Sequence, residues 1–431
     1  VRRVSPDATL TREDRIAVVR ICQLVEGLPL GLELAAAWAR VMPLAEIAQE
    51  IQRNLDFLST KMRDVPERHR NARALFEHSW QLLSDQEQHA LMHLSVFQGG
   101  FTREAASRVS GASPSQWISL VDKSMLRTQP LGRYDMHELL RQFVTEKLSA
   151  TPGASQEVRA AHCGYYCAFL QEHEDGLKGA AQREALDEIA ADIDNVRAAW
   201  QWAVEHARAD EIARGLESLY HFYYARGWMH EGKAVYHKAL DSLEAAGVEQ
   251  SEAHTLIVGR LLTRLGRFAY RLGLHREARE LLRRSLVAYA RLATEPPAES
   301  CAGPSDCPLP EELPPVCVER AFSLFSLSVV VRGDGEYREA QRLCRQSYEL
   351  YRACANSTGM AMALKVLGMI SGSLDNYVKA QRLLQEALVL YQEIGDPYGI
   401  ASTLNDLGFV AAGLDQNSSA RRYYQDSLKI R

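Results

Sequence analysis

Two groups of side chains in this sequence are placed to recognise charge rather than to make or break bonds. The run Tyr134-Asp135-Met136-His137-Glu138-Leu139-Leu140-Arg141-Gln142-Phe143 sets a histidine at the start of a helix. Backbone N–H groups are unpaired there and the helix dipole favours anions, so an imidazole at that point suits a phosphate. Far along the chain, Arg260, Arg264, Arg267 and Arg271 follow the spacing i, i+4, i+7, i+11 and share one helical stripe. With Phe322 and Phe325 beside them, and Lys365 and Asn405 on equivalent helices, they suit an acidic peptide held by bidentate pairs. Plainer explanations exist for both groups: a structural histidine, and a solvated helix face with ordinary charges. The Gly27-Leu28-Pro29 break offers a flat pyrrolidine ring that could pack on an adenine or ribose, or could simply turn a corner between helices.

Catalytic chemistry finds no support. The chain has no G-x-S-x-G, no H-E-x-x-H, and no stretch that fits the phosphate-binding G-x-x-x-x-G-K-[S/T]. No catalytic residue and no cofactor of the chain's own are therefore expected. Asp192-Ile193-Asp194-Asn195 brings acidic residues together, but inside a helical pattern, and is expected to cap a helix or face solvent. Among the eight cysteines, Cys163 and Cys167 share a helix face without a second pair, whereas zinc needs about four convergent ligands. Cys301, Cys307 and Cys317 cluster in a Pro-rich stretch; reduced thiols and no metal are the expectation.

A length of 431 residues implies two to four domains, and 46% hydrophobic with 24% charged residues is ordinary for a globular protein. The formal charge of −5 argues against an overall polyanion binder. No apolar run approaches a membrane span and no signal-peptide core opens the chain, so a cytoplasmic protein without membrane contact is expected.

The elements that must position these residues are nearly all helical. Thr11 and Ser84 are plausible N-caps, each followed by an acidic first turn. Strands are expected only near 124–128 and 132–135, around a turn with Pro130 and Gly132, between helices over 71–121 and a helix from Met136. From about residue 210 the chain repeats. Leu327, Leu367 and Leu407 are 40 residues apart (367−327, 407−367), and Ala340, Ala380 and Ala420 keep the step, as do Tyr351 and Tyr391. Leu265-Gly266, Ala278 and Ser285 form an earlier copy, offset by a Pro-rich insert at 294–317; a still earlier one runs through Leu219, Gly227, Gly232 and Ala239. Two helices per period make a solenoid, with Gly266, Gly368 and the alanines at the close crossings. This resembles a long form of the tetratricopeptide repeat, whose first helices line a groove that takes a protein or peptide partner. The last copy lacks a polar capping helix, so the natural polypeptide is expected to continue, and residues 1–10 to lie within a longer chain.

Two segments resemble STAND signal-transduction ATPases (the NB-ARC or AP-ATPase type), which include many bacterial transcriptional regulators. Gly27-Leu28-Pro29-Leu30-Gly31-Leu32-Glu33-Leu34-Ala35-Ala36-Ala37 is similar to the family's "GLPLALELAAA" element. Leu94-Ser95-Val96-Phe97-Gln98-Gly99-Gly100-Phe101 and Leu120-Val121-Asp122-Lys123-Ser124-Met125-Leu126 resemble its winged-helix core, and Met136-His137 falls where the family has its histidine motif, with Glu138 in place of Asp. The resemblance implies a mostly α chain: the end of a helical lobe of the nucleotide-binding module (1–62), a winged helix (63–150), a helical spacer (151–209), and the repeats (210–431). It further implies that Pro29 and His137 read ADP or ATP with Mg held by a nucleotide-binding domain outside this chain, while the solenoid binds an inducer and controls oligomerisation and a separate effector domain. The runner-up is a stand-alone tetratricopeptide scaffold. A winged-helix DNA binder is disfavoured, because 113–122 carries no arginine and only Lys123 follows it.

Overall fold

The computed structural model describes residues 11–25, 29–39, 42–53, 72–179, 181–246, 251–292 and 315–430. Gly27, Leu28, Cys301, Cys307 and most of the Pro-rich insert lie outside these. The chain is mostly α-helical and divides into two compact units, Val1–Cys167 with Ala190–Trp202, and Ala168–Ile189 with Ala203–Arg431. Among the described residues, no helix is long and apolar enough to cross a membrane.

The first unit opens with α1 (Arg12–Leu24), α2 (Pro29–Trp38) and α3 (Leu44–Arg53). Thr11 and Asp14 form a reciprocal capping box on α1, and Pro29 is the first residue of α2, where its missing N–H costs nothing. There follow α4 (Ala72–Gln81), α5 (Asp85–Leu94), β1 (Phe101–Thr102), α6 (Arg103–Ser110), α7 (Pro114–Asp122), β2 (Arg127–Gln129), β3 (Arg133–Asp135) and α8 (Glu138–Ser149). The three short strands form an antiparallel sheet in the order β1-β3-β2. The hairpin starts three residues later than the sequence suggests, and β1 adds a strand that it did not show. Leu91, Leu94, Phe97, Phe101, Leu139 and Phe143 fill the core beneath it, with the Phe97 and Phe101 rings 4.5 Å apart.

Next come α9 (Ala154–Glu172), α10 (Glu174–Lys178), α11 (Gln182–Ala191) and α12 (Ile193–Glu205). Asp192 and Asn195 were expected to cap or meet solvent; both are buried. Arg133 on β3 forms a bidentate pair with Asp192 at 2.8 Å and donates to the Gly100 carbonyl at 2.7 Å. Tyr166 donates to the same carboxylate, and Asn195 accepts from the Gln98 N–H and donates to Gly100 O. The polar residues of a helical pattern thus face inward, where the hairpin's arginine and loop backbone need partners.

The second unit stacks five helix pairs: α13 (Ala209–Arg226) with α14 (Met229–Ala245), α15 (Glu252–Arg271) with α16 (His275–Leu292), α17 (Pro315–Gly333) with α18 (Tyr337–Ala353), α19 (Ser357–Ser373) with α20 (Tyr377–Ile394), and α21 (Pro397–Gly413) with α22 (Asn417–Ile430). The insert is shorter than expected, since Pro315 opens α17 and Cys317 lies within it. Each pair turns through one left-handed residue: Gly227, Gly273, Gly335, Asp375 and Asp415, all with φ between 56° and 84°. Glycine takes that conformation without penalty; aspartate is one of the few other residues that tolerates it.

Close crossing explains the small residues. A Cβ on Gly368 would lie 2.7 Å from Leu384 Cγ and 3.3 Å from the Ala380 carbonyl, and Gly266 meets Leu282 and Ala278 in the same way. Gly368→Val should therefore cost about 1–3 kcal/mol through overpacking, read as a lower urea midpoint with an unchanged slope. An unchanged midpoint would mean that the crossing can open.

Candidate functional site

His137 is the N-cap of α8, which begins at Glu138, two residues later than the expected start at Met136. Its Nδ1 accepts the Leu139 N–H at 3.2 Å, so the imidazole takes up one of the helix's own donors. Glu138 forms a bidentate pair with Arg141 at 2.9 and 2.7 Å, and also accepts from Gln142. Beside this turn, in the same unit, a cleft of about 810 Å³ is lined by Arg12, Arg15, Arg20, Gln52, Glu138 and Arg141. A cap side chain is worth about 1 kcal/mol. His137→Ala should lose about that much, while His137→Asn, a strong capping residue, should retain it. Equal urea stability of the two variants would show that the cap contributes nothing.

In the second unit the first helices of successive pairs pack directly on one another, α13 on α15, α15 on α17, α17 on α19 and α19 on α21. They make one continuous face. The arginine stripe of α15 lies on it, but in a different state from the one expected. Arg264 is only 3% exposed in its side chain, clamped between Glu217 of α13 and Glu319 of α17. Burial opposes both charges, and their mutual attraction outweighs it: the Glu217 carboxyl is held well below its usual range and Arg264 stays cationic. Arg260 completes the cluster, with Nε 2.9 Å from Glu319. Arg267 stands over the rings of Tyr224 and Phe322 at 5.7 Å and of Phe325 at 6.0 Å, and donates to the Tyr220 hydroxyl. The Phe322 and Phe325 rings stack at 6.3 Å.

The expectation of four guanidinium groups open to a ligand is thus corrected at Arg260, Arg264 and Arg267. Their charges are used between repeats, because a solenoid must hold its first helices together where polar side chains meet away from water. Arg271 remains exposed at the end of the stripe, 5.4 Å above Tyr224. Farther along the face, Lys365 lies 3.7 Å from Asp406 and donates to Ser402; burial pushes its ammonium pKa down, and Asp406 partly offsets that. Exposed Asn405 and Phe409 line a cleft of about 440 Å³ with Arg332, Met369 and Asp406.

Sequence reasoning missed Glu217, Glu319 and Asp406. A signal was available in the turns. Counted back from the left-handed turn residue, Glu217 and Lys365 stand at minus ten (227−217, 375−365), and Arg264 and Asp406 at minus nine (273−264, 415−406). The same cross-repeat pairing occurs twice, with the charges exchanged.

A tetratricopeptide repeat family model matches residues 359–431. A Mycobacterium tuberculosis protein named as an HTH-type transcriptional regulator is 30% identical over 249 residues, 56% of this chain and 28% of that protein. A Mycobacterium bovis counterpart matches to the same extent. The chain thus spans little more than a quarter of the length of these relatives. A signal transduction ATPase with numerous domains and a tetratricopeptide repeat sensor, from Pyrococcus horikoshii, has a TM-score of 0.47 at 16% identity, over 92% of this chain and 58% of that one. Aspartyl phosphate phosphatase F from Bacillus subtilis has a TM-score of 0.41 at 10% identity, over 98% and 96%. At these scores neither structure bears on what the chain does. The chain is a helical protein with tetratricopeptide repeats, and it is similar to proteins named as transcriptional regulators.

Proposed function

We propose that the chain is the regulatory and sensing portion of a STAND-type signal-transduction ATPase that acts in transcriptional control. In this reading the solenoid binds an inducer or partner protein on its first-helix face, in the cytoplasm. The unit containing Pro29 and His137 senses whether ADP or ATP with Mg occupies a nucleotide-binding domain elsewhere in the polypeptide. Residues 72–149 act as a winged helix in this switch, and the chain itself catalyses nothing. Inducer binding would favour one of two states, a population shift that leads to oligomerisation and output.

The observation that carries the proposal is the continuous first-helix face. It is held rigid by the Glu217–Arg264–Glu319 clamp and flanked by side chains still open to a ligand: Arg271 at one end, Asn405 and Phe409 at the other. The relatives named as regulators agree with it. To test it, a photo-crosslinking residue is placed at Arg271, Asn405 or Val389, the last exposed on the second helix α20. A discrete partner adduct is expected at Arg271 and at Asn405, and the adduct at Arg271 should be suppressed by Asn405→Arg. Adducts no stronger there than at Val389 would refute binding on this face.

A further inference from the structure

We propose a second docking surface, on the second-helix side of the solenoid, that binds an acidic segment of a partner protein. A cleft of about 700 Å³ lies over α17 between α16 and α18. Leu286, Leu324 and Leu350 supply apolar lining, and Arg320, Arg338 and Arg345 stand around them. Among the described residues, these three arginines have no carboxylate within ion-pair distance. The other charges of the cleft are neutralised: Arg342 pairs with Glu339 at 2.7 Å, and Glu349 with Arg352 at 3.0 Å. This is the reverse of the first-helix face, where Arg264 is consumed between repeats.

The chain contains its own control. One step of 40 residues further on, the positions of Arg320, Arg338 and Arg345 are held by Met360, Val378 and Gln385, in a helix pair of the same fold. Stacking the repeats therefore does not require arginine at these places. Positions 338 and 345 are seven residues apart on one helix, about two turns, and share a face with a rise of about 10 Å between them. That spacing suits two carboxylates of one segment, each taken by a planar guanidinium fork, with an apolar side chain of the segment set against the leucines.

The probe is a fluorescein-labelled dodecapeptide of Glu and Asp with one central Leu, read by fluorescence polarisation on the whole chain. Binding is expected, weakened by salt as partly exposed charges require, and weakened again when the Leu becomes Ser. The triple variant Arg320→Met, Arg338→Val, Arg345→Gln installs the side chains of the next repeat. It should keep its helical content and melting temperature while losing at least about tenfold in affinity. Wild-type affinity in the variant, or no binding by the wild-type chain, would overturn the proposal. So would an oligonucleotide that binds more tightly through the same arginines. Residues 293–314 carry Glu295, Glu299, Asp306, Glu311 and Glu312; if the peptide bound only after these became amides, the occupant would be this chain's own segment.

Discussion

Arg264→Met is expected to destabilise the solenoid by about 3–5 kcal/mol, because it keeps the volume and removes the charge between the buried Glu217 and the partly buried Glu319. Glu217 and Glu319 both contact the Arg264 guanidinium. Without it, Glu319 keeps Arg260 at 2.9 Å, whereas Glu217 is left in a poorly solvated site with Arg260 only at 3.5 Å and His221 at 3.1 Å. Restoring neutrality with Glu217→Gln in the same chain, which leaves Arg260 paired with Glu319, should recover most of the loss. The pH response gives a second reading. In the wild type the Glu217 pKa is depressed, so its contribution is present above the usual carboxylate range and is lost as pH falls through the folded value. In Arg264→Met the attraction that outweighs burial at Glu217 is removed, so its carboxyl protonates more readily and the loss of stability in acid should shrink. Urea unfolding followed at several pH values decides the matter; a loss under about 1 kcal/mol would mean that the cluster is solvated.

A comparable effect is expected at His162 in the first unit. The ring is buried, 3.4 Å from Asn195 Oδ1 and 5.1 Å from the Phe97 ring. Burial pushes its pKa down to about 4, against a partial upward pull from the Asn195 hydrogen bond. The unfolded ring takes up a proton near pH 6.5, so between about 6.5 and 4 the unfolded chain binds more protons than the folded one. Stability therefore rises with pH across that window and is flat above it, with a span of about 3 kcal/mol. His162→Gln should flatten the slope, measured by hydrogen exchange of the α9 and α12 amides. A variant with the wild-type slope would assign the acid response to other groups.

The solenoid was legible because its packing demands act at a fixed period. Gly266, Gly368 and the alanines of the second helices keep phase wherever two backbones must approach, and only small side chains stand there, Ser328 in the repeat between. The N-cap boxes at Thr11 and Ser84 were equally plain, since each uses only residues within one turn. What the sequence concealed depends on distant partners. Phe101–Thr102 is too short to show strand alternation and is a strand only because β3 pairs with it. Asp192 and Asn195 look solvent-facing until Arg133 and Gly100 arrive from far along the chain. Arg264 reads as a surface charge on its own helix, and its burial is decided by acids 47 and 55 residues away.

His137 joins the two levels. Its capping bond to Leu139 accounts for part of its place at the start of α8, and the proposed sensing role needs the imidazole for something more. The most direct measurement is the affinity for ADP and for ATP of the intact polypeptide that carries this chain. It would be made by titration calorimetry on the wild type, His137→Ala and His137→Asn. Asparagine keeps the cap and removes the imidazole, which separates folding from sensing. The proposed switch predicts that both variants lose at least about tenfold in ADP affinity with ATP affinity unchanged. Wild-type ADP affinity in His137→Asn, or an intact polypeptide that binds neither nucleotide, would contradict it.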